Sequence, residues 1–531
     1  MTKLFLLFVI AQCIYFIGTF KLYVKAGRKA WEALIPIYNT ILLMQIINRP
    51  KWWLFLLLIP IINLIILPVI WVETIRSFGK NKTTDTFIVI LSLGFYILYL
   101  NYNTNKLIYI KDRDLKSKGT LGETISSLLF AVIVATIVHT YIIQPFTIPS
   151  SSMEKSLLVG DFLFVSKFHY GARIPMTTIA LPMVHDSIPF LKSKSYLFSD
   201  DFSKKETSII NIFQLPYLRL PGFQKIERND IVVFNQPADT LRDMDNFSPD
   251  RNYYKPIDKK TNLVKRCVGI PGDSLEVRNG YVFIDGKQTK LSERTKLQFS
   301  YTVKFKGQFL SYEEACNILK LYDITDGIAY DYKSGEYFVQ ATEEAITNAR
   351  SNPYILSLEL RKKNKGDQDF KVFPHNTNYN WNADFFGPIY IPEKGKTIDI
   401  NLKILPLYKR IITEYEGHQL SVRGNQIFID NRHATSYTFK QDYYWMMGDN
   451  RDNSIDARFW GFVPFDHVIG KPIFIWLCWN TDGKGINKIR WNRMFTTVAG
   501  EGEPRSYLIY FVITVIIYLV YNKYMKGKNV R

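Results

Sequence analysis

Along this chain the apolar residues fall into long runs near both ends and short alternating stretches between them, and the contrast predicts two kinds of structure. A helix rises about 1.5 Å per residue, so about 20 apolar residues cross a hydrocarbon core about 30 Å thick. Phe5 to Phe20 is one such run. Basic residues Lys21, Lys25, Arg28 and Lys29 follow it and no small-residue cleavage pattern does, so it predicts an anchor and not a removable leader. Trp52 to Val72 and Phe87 to Leu100 predict further spans, while Trp31 to Ile47, broken by Pro36 and Asn39, predicts an interfacial segment. Ile125 to Ile143 is the clearest span, and Tyr507 to Tyr521 forms a last one with tyrosines at both ends, as in an interfacial belt.

Charge gives these spans a direction. Lys106, Lys111, Arg113, Lys116 and Lys118 precede the Ile125 span, and Lys523, Lys526, Lys528 and Arg531 follow the last one. Such basic flanks stay in the cytoplasm, which predicts that residues 146 to 505 lie outside. That region has no long apolar run but carries short segments such as Ile231 to Phe234, Tyr281 to Ile284 and Gln426 to Ile429, the pattern of a β-rich domain. Within it Leu275 to Asp285 and Leu420 to Asp430 align without a gap, each reading strand, turn, strand around Asn279-Gly280 or Gly424-Asn425. They predict framework hairpins flanking an insertion at residues 290–415. The expected order is a multi-span region with a basic loop (1–123), a membrane helix (124–145), the first part of the β core (146–289), the insertion (290–415), the second part (416–485) and a C-terminal membrane helix (506–522).

Composition adds little to this. The 67 Lys+Arg against 48 Asp+Glu give a formal charge of +19, which suits nucleic acid, anionic lipid or membrane topology alike. Cys13, Cys267, Cys316 and Cys478 are scattered, resemble neither a disulfide framework nor a zinc site, and are each expected to be buried thiols.

Three segments carry candidate chemistry. Past the Ile125 span comes Ile148-Pro-Ser-Ser-Ser-Met-Glu-Lys-Ser-Leu-Leu-Val-Gly-Asp161, a short polar stretch before a strand expected from Phe162; a serine in such a stretch is ordinarily a turn or capping residue. Asn262-Leu-Val-Lys-Arg-Cys-Val-Gly-Ile-Pro-Gly-Asp273 sets Lys265 in an apolar-flanked strand. Burial there would disfavour the ammonium and leave an amine able to take a proton from a hydroxyl. Met446-Met-Gly-Asp-Asn-Arg-Asp-Asn-Ser-Ile-Asp-Ala-Arg-Phe-Trp-Gly-Phe-Val-Pro464 is a loop in which Asp449, Arg451, Asp456 and Arg458 can satisfy one another.

With Arg228-Asn-Asp-Ile-Val-Val-Phe-Asn-Gln-Pro237, these segments resemble, in order and wording, the bacterial type I signal peptidases across blocks of residues 124 to 480. The resemblance implies a membrane-anchored, mainly β catalytic domain of the signal-peptidase/LexA-like kind, with N-terminal and C-terminal transmembrane helices. It further implies that Ser152 is the nucleophile and Lys265 its base, and that Ser150 and Ser152 form the oxyanion hole. Ser454 would position the lysine, and Asp449, Asp456 and Arg458 would support the site. No cofactor or metal is implied, and the partners are signal-peptide-bearing preproteins and the lipid bilayer, with no nucleic acid. The implied place is a bacterial cytoplasmic membrane, the catalytic domain on the outer side, acting after the export machinery. Departures are Lys155 where the family usually has Pro, Ser156 for Thr, Asn229 for Gly and Ala457 for Ser; none removes a catalytic group. The N-terminal spans and most of the insertion are expected to lie outside the resemblance.

Other classes fit less well. No Gly-x-Ser-x-Gly elbow or His-Glu-x-x-His is present, and none of the seven histidines has a recognisable catalytic setting. A self-cleaving repressor would need a DNA-binding head where this chain has spans. A β-rich binding module on a membrane anchor remains the non-enzyme alternative, favoured if Ser152 and Lys265 are far apart.

Overall fold

The computed structural model describes residues 2–103, 105, 107–115, 120–201, 204–205, 207–238, 254–306, 311–481 and 483–528. Lys106, Lys116, Lys118 and Arg531 of the expected basic flanks lie outside the described residues. The chain forms two units, one of Met1–Ile142 with Arg173–Leu218 and one of Ile143–Ala172 with Arg219–Arg531, so the expected 146–289 stretch is interrupted by an excursion.

In the first unit the apolar runs become helices, but not always the spans expected. Phe5–Lys25 and Thr120–Ile142 are long and apolar enough to cross a membrane, as is Leu508–Met525 of the second unit. Trp52 to Val72 is broken instead. A helix at Trp53–Leu58 stops before Pro60, which has no N–H to continue the ladder; Ile61 turns to φ 71° and a second helix runs Ile62–Ser77. Phe87 to Leu100 also folds back: Thr83–Leu91 and Phe95–Tyr102 meet at 117°, the corner made by Leu93 (φ 50°) and Gly94 (φ 88°). The Trp31 segment is a 3-10 turn at Ala30–Ala33 followed by a helix at Tyr38–Ile46. Leu22, Tyr23, Met44, Ile47, Ile62 and Val89 form this unit's core.

The second unit is mainly β. Its principal sheet contains β1 (Ile143–Thr147), β2 (Asp161–Ser166), β3 (Ile231–Asn235), β4 (Asn262–Gly269), β5 (Tyr443–Met447), β6 (Val463–Pro464), β7 (Val468–Cys478) and β8 (Thr496–Thr497). The order is β1-β2-β7-β3-β4-β5-β6, with β8 on β7. β3 and β5 are buried at every residue, which is why they read as unbroken apolar runs. The eleven-residue β7 pairs with β3 at Val468 and Gly470 and with β2 from Lys471 to Cys478. One core gathers Phe234, Phe386, Phe439, Tyr443, Trp445 and Trp460; a smaller one holds Ile148, Met153, Leu157, Leu163, Val165 and Val233.

The stretch 290–415 divides in two. Strands Gln298–Phe305, Asp326–Asp331, Glu336–Thr342 and Ile355–Leu360 form a separate antiparallel sheet. With helices Tyr312–Lys320 and Glu343–Ala349 it closes a core of its own around Val303, Leu319 and Val339. Beyond it Val372, Phe373, Phe386, Ile391, Leu405 and Ile412 join the principal core.

The two similar hairpins form, with different turns. Asn279 and Gly280 both have positive φ (52° and 79°), joining Arg278 to Tyr281, whereas in the second only Gly424 does (58°). Of the cysteines, Cys267 and Cys478 are buried; Cys13 is exposed and Cys316 half-buried, because Cys13 lies on the outward side of an apolar helix.

Candidate active site

The chain leaves Ile142 directly into β1, and after Ile148 it makes one tight 3-10 turn, Ser151–Met153. Met153 is the turn's buried foot, packed in the smaller core, which leaves Ser151 and Ser152 half-buried and Ser150 exposed at the extended position before the turn. Across from it stands β4, with Lys265 opposite Val232 of β3. The Lys265 side chain, 3% exposed, brings Nζ to 2.5 Å from Ser152 Oγ.

Burial decides the charge of that amine. Loss of water pushes the Lys265 ammonium down from 10.5 to about 8, against the opposing pull of Asp456 and Asp449, with Arg458 assisting. The nearby acids are kept from competing for its proton. Asp456 accepts from Arg458 Nε at 2.9 Å and Nη2 at 2.8 Å, from the Gly448 N–H at 3.0 Å, and caps the helix Ala457–Trp460. Asp449 accepts from Arg266 Nε at 2.8 Å and Nη2 at 2.6 Å. Both carboxyls are fully buried, and these guanidiniums hold them below the usual carboxylate range despite burial.

The loop of Gly448–Ser454 closes the other side. The Asn450 N–H donates to the Ser152 carbonyl at 3.2 Å, Asn450 Nδ2 to the Ser151 carbonyl at 3.1 Å, and Asn453 Nδ2 to Ser151 Oγ at 2.9 Å. Ser454 is buried here, but its hydroxyl has no hydrogen-bond partner and none joins it to Lys265, so the expected positioning contact is not made. Gly448 lies between: a Cβ there would stand 2.2 Å from Ser454 Oγ and 2.5 Å from the Ser152 carbonyl oxygen. Lys155 turns away, at φ 69°, to Asp323 and Thr325 of the insertion sheet's connecting segment. Among the described residues no group of three His, Cys, Asp or Glu side chains is arranged to hold a metal ion.

The arrangement thus unites Ser152, Lys265, Asp449, Ser454, Asp456 and Arg458, and it includes residues to which no sequence signal assigned a part: Arg266, Asn450, Asn453, and Asp323 and Asp326 from the insertion. A half-exposed hydroxyl against an amine of lowered basicity is a proton-transfer pair that can generate an alkoxide.

Comparison with known proteins places the chain in a peptidase family. A family model described as "Signal peptidase, peptidase S26" matches residues 121–344 and 390–479, more than half of the 531 residues. Of the 290–415 stretch it omits residues 345–389 alone, so more of the insertion lies within the family pattern than expected. A second model, "Family of unknown function (DUF5684)", matches residues 31–112. A curated protein named Signal peptidase I from Buchnera aphidicola subsp. Schizaphis graminum is 25% identical over 403 residues, covering 74% of this chain and 90% of that protein. One of the same name from Helicobacter pylori (strain J99) is 24% identical over 387 residues, 71% and 92% of the two chains. Another from Rickettsia felis is 23% identical over 393 residues, 71% and 93%. These matches define a serine peptidase held to a membrane by apolar helices. The chain belongs to the signal peptidase, peptidase S26, family, with the type I enzymes.

Proposed function

We propose that this chain removes N-terminal signal peptides from exported preproteins, with Ser152 as nucleophile and Lys265 as general base, at the outer face of a bacterial cytoplasmic membrane. The observation that carries the reading is the 2.5 Å approach of Lys265 Nζ to Ser152 Oγ with the amine buried. A binding module has no use for a lysine in that place.

In this reading neutral Lys265 takes the Ser152 hydroxyl proton as Oγ attacks the scissile carbonyl carbon. The Ser152 N–H and the Ser150 hydroxyl hold the resulting oxyanion. Lys265 gives its proton to the leaving nitrogen, the C–N bond breaks, and the signal peptide remains as a Ser152 ester. Water, deprotonated by Lys265, attacks the ester and releases a carboxylate and the serine. Asp449, Asp456 and Arg458 fix the amine's surroundings, and Ser454, buried beside Gly448, would reach the amine by rotation of its hydroxyl-bearing side chain once substrate is bound. Ten residues from Ile143 to Ser152 span at most about 33 Å when extended, so the nucleophile stays near the lipid, where a membrane-held signal helix offers its cleavage site. Family resemblance adds a requirement for small residues at the first and third positions before the cut.

The test is incubation of the detergent-solubilised protein with a preprotein and sequencing of the new N-terminus. Cleavage after a small-x-small pattern, lost in Ser152→Ala, is expected; no cleavage, or efficient cutting after Phe or Lys at those positions, contradicts the reading.

A further inference from the structure

The insertion sheet reaches the catalytic loop through the five residues between its first helix and the strand Asp326–Asp331, and through Asp326 itself. Asp323 Oδ1 and Thr325 Oγ1 accept from Lys155 Nζ at 2.7 and 3.1 Å. Asp326 Oδ2 accepts from Asn450 Nδ2 at 2.6 Å, and the other proton of that amide goes to the Ser151 carbonyl. The sheet's first strand grips the same place from beside: the Gln298 N–H donates to the Asp449 carbonyl at 3.0 Å, and Gln298 bridges Asn450.

Asn450 is fully buried, so the orientation of its amide is decided by its partners. A carboxylate accepts only, and its hydrogen bond to an amide N–H is charge-assisted. Asp326 therefore fixes Nδ2, not Oδ1, towards the Ser151 carbonyl; a flipped amide would set oxygen against oxygen at both contacts. Once the amide is fixed, the Asn450 N–H and Nδ2 hold two successive carbonyls of the turn that carries Ser152. The charge of Asp326 is felt on that turn independently: Glu154 is pushed up to about 7, first by burial and then by Asp326.

We propose that Asp326 is a positioning residue, which through Asn450 locks the Ser151–Ser152 carbonyls and so sets the Ser152 hydroxyl on the Lys265 amine. The insertion is then a working part of the site. This rests on Ser152 being the nucleophile.

The test compares preprotein cleavage by the full-length, detergent-solubilised protein and its variants. Asp326→Ala should lower kcat at least tenfold, towards the about 100-fold that displacing a reacting group by 1 Å costs, with KM within about twofold. Asp326→Asn keeps an acceptor oxygen and should recover most of the rate. Asn450→Ala should be slow, and the Asp326→Ala/Asn450→Ala double variant no slower than Asn450→Ala alone. Val303→Ala, in the insertion's own core, should lower the melting temperature without changing kcat. The proposal is overturned if Asp326→Ala keeps kcat within about twofold, if the double variant's losses multiply, or if Val303→Ala reproduces the loss. Ser152→Ala, assayed alongside, separates the two readings: an inactive Ser152→Ala with a normal Asp326→Ala sinks this proposal alone, whereas an active Ser152→Ala sinks both.

Discussion

A proton-transfer pair works as one group, and that governs what single substitutions at Ser152 and Lys265 should do. Ser152→Ala, Lys265→Ala and the double variant are expected to fall to a similar residual rate, since each removes the same step. Lys155→Ala should fall far less, because that amine is engaged with Asp323 and Thr325. Turnover should rise about tenfold per pH unit up to about 8, where Lys265 loses its proton, and level off above it, as a pH–rate profile would record. Gly448→Ala should cost at least about tenfold in kcat, since a methyl has no room between Ser454 Oγ and the Ser152 carbonyl. At this scale the motifs disclosed which residues meet, as their wording resembles a known pattern. They did not disclose Asn450 as a brace or Asp326 as its partner, because a contact across 124 positions leaves no local signature.

The two hairpins illustrate what sequence similarity conveys about elements. Both formed where the Asn-Gly and Gly-Asn pairs placed them, yet only the first serves the site: Arg451 Nη1 donates to the Gly280 carbonyl at 2.9 Å, and a Cβ on Gly280 would stand 2.6 Å from Lys362 Nζ and 2.8 Å from Phe299. Gly424 has nothing within 4 Å. Gly424→Ala should therefore cost about 1 kcal/mol for its left-handed φ, and Gly280→Ala distinctly more, together with activity; denaturant unfolding with a cleavage assay would read both. The membrane runs were legible as apolar but not as shapes, since hydropathy is blind to Pro60 ending a helix or to Leu93 and Gly94 turning one back. The proposed topology stands or falls on a reporter fused after residue 480, which should prove external.

For the whole molecule, burying Lys265 opposes folding. Its pKa is about 8 folded and 10.5 unfolded, so the unfolded chain binds the proton more tightly. The penalty, on the order of 3 kcal/mol, is fully present below pH 8, shrinks between 8 and 10.5, and is gone above. Lys265→Met should accordingly melt higher than the parent at pH 7, lose that advantage as pH rises to about 10.5, and be inactive throughout; calorimetry over that range would follow it. The division into apolar helices and a β-rich unit could be read from patterning alone, whereas the sheet of residues 298–360 could not be told from the segment after it, because both alternate alike and only tertiary packing assigns them to different cores. Lys155 gives this organisation a local constraint. Its φ of 69° lies about 130° from the value a proline ring enforces, so the proline that the family resemblance implies at this position does not fit the backbone here. Lys155→Pro should therefore inactivate the enzyme, which a cleavage assay would read. The Lys155–Asp323 ion pair thus ties the turn after Ser152 to the insertion through a backbone shape that a proline cannot take.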